Sequence, residues 1–289
     1  MPPPPPPPIR THRVEVEPGR ALSVRERPGD RRPFLLVHGL ASNARLWDGV
    51  SAVLAAAGHR VVAVDQRGHG ESDRAATGYR YPEVTGDLVA LVEAMDLGTP
   101  VLVGQSWGGN VVIHAGAAHP DRWHAIAAVD GGTIAIGDRF ADPQEAWEAL
   151  RPPPLAGRPA TEVRDMIAAG VAGWPDGALE AQMGNFLELE DGTVRPRLAL
   201  ADHRQIVEAM HAADPSGVFG DVEAPVLLLP VRGEGAWGAE KAAAVDAALA
   251  VLPRGRVHWF DGAHDVHLQQ PDAVAEALLA LAADPVDEV

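Results

Sequence analysis

Hydrophobic positions along this chain fall into two recurring patterns. Two segments near the start, Thr11–Glu17 and Ala21–Arg27, alternate apolar and polar residues. That is the period of a strand with one buried face. Pro18-Gly19 lies between them and predicts a hairpin turn. Six later runs are short and mostly apolar: Pro33–Gly39, Arg60–Asp65, Pro100–Gly104, Ala125–Asp130, Pro225–Leu229 and Gly255–Phe260. Such runs suit strands buried on both faces of a parallel sheet. Ala-rich, helix-like stretches separate them at Val50–Ala57, Glu83–Met95, Asn110–Ala118, Lys241–Val251 and Ala273–Ala283. Strands alternating with helices predict βαβ units. The fold class is therefore α/β, with a mostly parallel sheet, helices on both faces and the hairpin adding antiparallel strands at one edge.

One region breaks the alternation. From Gly131 to Glu223 no buried-strand run occurs, but Pro152-Pro153-Pro154, Trp147, Trp174 and several amphipathic pieces do. A structureless loop of that length is foreign to a compact domain. The region is read as a helical cap, residues 133–222, inserted into a core made of 11–132 and 223–289. Residues 1–10, with prolines from Pro2 to Pro8, are read as a disordered or polyproline-II tail.

Composition narrows the chemistry. The 289 residues include no cysteine, which excludes disulfides and thiolate metal sites. A net charge of −16 weighs against nucleic-acid binding, which depends on clustered cations. Lys241 is the only lysine among 24 Lys and Arg residues. The N-terminus lacks the basic and apolar regions of a signal peptide. No window reaches the ~20 apolar residues of a membrane span. A soluble cytoplasmic protein with no membrane partner is the expectation.

The run Gly104-Gln105-Ser106-Trp107-Gly108 follows one apolar run and precedes a helix-like one. That is the context of a nucleophile elbow. Small residues two before and two after the serine let the backbone bend sharply and lift the hydroxyl above the sheet. The following helix N-terminus favours a developing oxyanion.

With this elbow stand His38-Gly39-Leu40, the stretch Asp65-Gln66-Arg67-Gly68-His69-Gly70-Glu71-Ser72-Asp73, and Gly262-Ala263-His264 followed by Pro271. Together, in this order, they make the chain resemble the α/β-hydrolase superfamily, close to its cap-bearing esterase, lactonase, haloalkane dehalogenase and epoxide hydrolase members. The resemblance implies an eight-stranded sheet, Ser106 as nucleophile, and an oxyanion hole from the backbone N–H groups of Leu40 and Trp107. It implies His264 as base, in preference to His267, which is expected to pack against the cap or cap a helix. His38 is expected to brace its loop, and Arg67 to pair with Asp73. His69 is given no role as base. No cofactor and no metal are implied.

The acid departs from the family pattern. The usual aspartate after the seventh strand is missing from Leu229-Pro230-Val231-Arg232-Gly233-Glu234-Gly235-Ala236-Trp237. Asp130, at the end of the sixth strand and followed by Gly131-Gly132, is the favoured acid, with Glu234 the alternative. Some family members place their acid on that strand.

The expected reaction is acyl transfer from a medium-sized, apolar ester or lactone. Relatives that cleave carbon–halogen bonds or epoxides carry aspartate where Ser106 stands. The alternatives are hydrolysis of a C–C bond in a diketone, cofactor-free haloperoxidase or perhydrolase chemistry, and a non-catalytic ligand-binding protein. Trp147, Met166, Trp174, Met183 and Phe186 are candidates for an apolar pocket wall or for the cap's own core.

Overall fold

The hairpin and the six apolar runs all become strands of one sheet. In this computed structural model, which describes residues 6–283, the chain opens with β1 (Arg10–Glu17) and β2 (Arg20–Arg27), joined at Gly19 with φ 79°. Then follow β3 (Arg31–Val37), α1 (Asp48–Ala56), β4 (His59–Val64), α2 (Tyr81–Ala94), β5 (Val101–Gln105), α3 (Trp107–Ala118) and β6 (Ala125–Val129). After a long excursion come β9 (Val226–Leu229), α8 (Gly235–Val251), β10 (Gly255–Val257), α9 (Val266–Gln269) and α10 (Pro271–Ala283). The sheet order is β1-β2-β4-β3-β5-β6-β9-β10. Pairings β1–β2 and β2–β4 are antiparallel and the other five are parallel.

Period-two alternation within the apolar runs divides them between two cores. Leu35, Val37, Val62, Val64, Leu102, Ile126 and Ala128 enter one cluster with α2 and α3. Phe34, Leu36, Val61, Ala63, Val101, Val103, Ala127 and Val129 face the opposite way and pack with α1 and α10. Both faces are covered, so polar residues in these strands are confined to their ends, as at Arg31, Arg32, His59, Arg60 and Gln105. Burying each Leu, Val or Phe contributes about 1.5–3 kcal/mol.

Residues 1–5 of the proline run lie outside the described residues. Arg10 already pairs with Glu26, and the Pro7 carbonyl accepts a hydrogen bond from Arg27.

The excursion between β6 and β9 holds α4 (Pro143–Leu150), α5 (Ala160–Gly170), α6 (Ala178–Met183) and α7 (Leu200–Ala212). It also holds a small antiparallel hairpin, β7 (Phe186–Glu188) with β8 (Val194–Pro196). Three-residue strands are too short to show a period, which is why the sequence reading found only helices there. Its final turn, Pro215–Asp221, packs on α3, with Phe219 buried in the main core.

The Asp65–Asp73 loop is held differently from the expected Arg67–Asp73 pair. Arg67 Nε donates to Asp87 Oδ2 on α2 at 2.6 Å, and both side chains are buried. Asp73 instead accepts from Arg13 at 2.5 Å and from the Ala21 N–H at 2.9 Å. The buried guanidinium also donates to the Gly78 and Glu83 carbonyls. Removing one partner of a buried pair strands the other charge. Asp87→Ala is expected to lower the unfolding free energy by about 3 kcal/mol, read from urea midpoints at constant slope. A loss under about 1 kcal/mol would mean that the carbonyls alone satisfy Arg67.

Candidate active site

Three segments deliver the site, each at the carboxyl end of a strand. β5 ends at Gln105, and Ser106 follows with φ 54° and ψ −123°. Residues with a Cβ rarely adopt that conformation; it is a glycine-like corner. The corner survives because its surroundings fix it. The Ser106 N–H donates to Val129 O at 2.9 Å, and Ser106 O accepts the Gly109 N–H at 2.8 Å. A Cβ on Gly108 would come within 2.4 Å of His38 O, so only glycine lets the helix start this close to β3. Trp107, first residue of α3, has an N–H that no helical carbonyl can accept.

β6 ends at Val129, and Asp130 turns out of it with φ 41°. Aspartate tolerates left-handed backbone better than most residues. Its N–H still continues the sheet, donating to Leu229 O at 3.0 Å. The next residue must be glycine, because a Cβ on Gly131 would meet Ser106 O at 2.2 Å. This close approach brings the Asp130 turn against the serine corner. Among the described residues four non-glycine residues have positive φ: Ala41, Asp96, Ser106 and Asp130. Three of them flank or form this site. Backbone strain of this kind costs about 1–3 kcal/mol per residue and concentrates at functional positions.

The loop after β10 carries His264. Its Nδ1–H donates to Asp130 Oδ2 at 2.6 Å. That bond fixes the tautomer and leaves the Nε2 lone pair available. The loop is tied from three sides. Gln105 Nε2 donates to His264 O at 3.3 Å, the Ala263 N–H donates to Gln269 Oε1 at 2.8 Å, and Gln182 Nε2 on α6 donates to Asp265 Oδ2 at 2.9 Å. Burial pulls the His264 ring down, but the hydrogen bond and charge of Asp130, with Asp265, outweigh it and raise its pKa above the ordinary value. Burial pushes Asp130 up, yet its bonds to His264, Lys241 and the Val231 N–H hold its pKa below the ordinary carboxylate value. Asp130 is thus a carboxylate and His264 an imidazole biased toward its cation.

The structure places the other sequence candidates as follows. Leu40, Ser106, Trp107, Asp130 and His264 all line one cavity of about 890 Å³. Glu234 lies exposed just before α8 and is no partner of His264. His38 is fully buried; its Nδ1–H donates to Gly39 O at 2.7 Å and its Nε2 accepts the Gln66 N–H at 3.0 Å. Both ring nitrogens are used in holding loops. His69 Nε2 likewise accepts the Ala41 N–H at 3.2 Å. His267 packs against Trp47, ring centroids 4.3 Å apart and planes tilted by 47°, and burial pushes its pKa down to about 4. Its Trp47 partner lies in the loop between β3 and α1.

The cavity wall comes from residues that the sequence reading missed. Ile134, Ile136, Phe140, Leu150, Met210 and Trp237 line it. None of the five candidates for wall or core lines it: Trp147 is buried against His203, Met183 packs with Val163, Trp174 joins Leu46, Met166 is exposed, and Phe186 borders a separate small cavity. A signal existed for three of the missed residues. Ile134, Ile136 and Phe140 directly follow the Asp130-Gly131-Gly132 turn, so the chain leaves the site along its rim. At that rim the Arg139 guanidinium sits 4.4 Å from the Trp237 ring centre.

Comparison with known proteins agrees with this architecture. The sequence model for the family described as "alpha/beta hydrolase fold" matches residues 32–208. The chain is 31% identical to a 2-(acetamidomethylene)succinate hydrolase of Mesorhizobium japonicum over 229 residues, 78% of this chain and 77% of that protein. It is 38% identical to a haloalkane dehalogenase of Psychrobacter cryohalolentis over 105 residues, 36% of this chain and 35% of that protein. A crystal structure of an E-2-(acetamidomethylene)succinate hydrolase superposes with a TM-score of 0.77 at 25% identity, covering 94% of this chain and 98% of that one. No helix among the described residues is long and apolar enough to cross a membrane. On its strand order, its strained serine corner and these matches, the chain belongs to the α/β-hydrolase fold family.

Proposed function

We propose that this protein is a serine hydrolase that cleaves a carboxylic ester or lactone through an acyl-enzyme. The observation that carries the reading is the 2.6 Å bond from His264 Nδ1–H to Asp130, in a cavity that Ser106 also lines. Ser106 Oγ attacks the acyl carbon while His264 Nε2 takes its proton. The oxygen of the tetrahedral intermediate rests on the Leu40 and Trp107 N–H groups, each worth about 3 kcal/mol in such a hole. Collapse breaks the C–O bond, and His264 returns the proton to the leaving alkoxide. Water, deprotonated by the same imidazole, then attacks the acyl-enzyme and frees the acid and Ser106. Asp130 keeps its charge throughout and steadies the imidazolium. The excursion between β6 and β9 acts as a cap over the acyl pocket.

Serine sets the reaction class. Displacement of halide or opening of an epoxide by Ser106 would form an ether, which this machinery does not hydrolyse. The cavity wall of Ile134, Ile136, Phe140 and Met210 favours an apolar acyl or alkyl group. A second reading is favoured by Arg139, whose guanidinium on the cavity rim has an aromatic partner and, among the described residues, no carboxylate within ion-pair distance. It gives the substrate a carboxylate, as the name of the Mesorhizobium relative does for its own. A panel of nitrophenyl esters, lactones, acid-bearing amides and diketones separates the readings. Turnover is expected on neutral esters or lactones of medium size. Turnover confined to the acid-bearing amides would replace the first reading by the second, and turnover confined to the diketones would overturn both.

A further inference from the structure

Asp130 has two carboxylate oxygens, and His264 uses one. The other, Oδ1, accepts the Val231 N–H at 2.9 Å and Lys241 Nζ at 2.7 Å. Nζ also donates to Val231 O at 3.1 Å. Lys241 stands in α8, with a side chain only 18% exposed. It is the chain's one lysine; the other fixed positive side chains are arginines. The arrangement suits a lysine at this position. An ammonium is a compact charge with three rotatable donors, and it fits between a carboxylate oxygen and a carbonyl. A guanidinium is a planar fork that matches a carboxylate side-on and would compete with His264 for both oxygens.

We propose that Lys241 is a positioning residue of this site: its ammonium locks Asp130 with Oδ2 toward His264 and draws off part of the carboxylate charge. The proposal rests on the Ser106–His264–Asp130 reading above. Two effects follow from one contact. The carboxylate keeps a single orientation, so the imidazole keeps the tautomer whose Nε2 is free. The ammonium also opposes the positive charge on His264, so the ring releases its proton more readily. Without Lys241, the full charge of Asp130 would hold that proton longer.

The other titratable or charged groups near the site are Asp265 on the same loop, the neutral imidazole of His267 from α9, and Asp138, Arg139 and Glu240 on the cavity wall. All are unchanged in variants at position 241, so a shift isolates the lysine. Lys241→Met keeps most of the length of the side chain, ending one atom short of Nζ, and removes its charge. It is expected to move the acid limb of kcat/KM up by roughly half a unit to one unit. It is expected to lower kcat about tenfold through looser orientation of the ring, with KM little changed. Lys241→Arg keeps the charge; it should hold the limb near its wild-type position while kcat still falls.

A single lysine also permits a measurement on the unaltered protein. Selective nitrogen-15 labelling of lysine gives one side-chain signal, expected to shift in step with the titration of His264. A signal that stays fixed while the imidazole titrates, or a limb that stays put in Lys241→Met, would overturn the proposal. Asp130→Asn tells the two failures apart. If it is inactive while Lys241→Met matches wild type, the lysine proposal alone fails. If Asp130→Asn keeps full activity, the reading beneath it fails as well.

Discussion

Ser106→Ala is expected to cut kcat/KM on the best substrate by roughly four to six orders of magnitude and to leave the fold intact. The size follows from the mechanism. Without Oγ no acyl-enzyme forms, and what remains is the acceleration that the oxyanion donors give to direct attack by water. Stability offers an independent check. Ser106 holds φ 54° and ψ −123°, a corner suited to glycine. If the side chain is kept for chemistry, Ser106→Gly should abolish activity and still unfold no more easily than wild type, because relief of strain offsets the added chain entropy. Activity within about tenfold of wild type in Ser106→Ala would remove the serine from the mechanism.

Asp130→Asn is the second large effect, expected to lower kcat by about four orders of magnitude. The amide keeps the shape of the carboxylate and loses its charge. It can present an N–H to His264 Nδ1, which places the ring proton on the wrong nitrogen. The pH profile should change in a defined direction. Burial alone depresses His264, and Asp130 supplies most of the opposing pull. The catalytic form is the neutral imidazole, so wild-type kcat/KM should fall on the acid side through a pKa above the ordinary 6.5. In Asp130→Asn the residual activity should fall through a lower one. Glu234→Gln, exposed before α8, is expected to behave as wild type. The reverse pattern, with Glu234→Gln inactive and Asp130→Asn active, would move the acid to the strand beside it.

Much of this was legible in the sequence, and the reasons are physical. All six apolar runs became strands; in β3 to β6 and β9 the central positions are buried on both faces and tolerate few polar residues, so these runs mark themselves. Ser106 was legible because a sharp strand-to-helix corner needs glycine on both sides. Asp130 was legible through the glycines after it, and the structure shows why Gly131 is required: its missing Cβ is where Ser106 O lies. What stayed hidden depends on long-range packing. Lys241 reaches Asp130 across more than a hundred residues of sequence, |i−j| = 111, and no local pattern records that contact. The Arg67–Asp87 pair was hidden for the same reason, since Asp73 is nearer in sequence but Asp87 is the residue that α2 brings under the loop. For Trp147 and Met183 the sequence left pocket wall and core both open, because a large apolar residue reads alike whether it faces a ligand or its own neighbours; both are core.

The central claim is that Ser106 is an activated nucleophile. It is tested most directly by incubating the folded protein with a fluorophosphonate probe and locating the adduct by peptide mass. A single adduct on Ser106, absent after Ser106→Ala and much slower to form in Asp130→Asn, is the expected result. No adduct on the folded protein, or one that persists in Ser106→Ala, would contradict it.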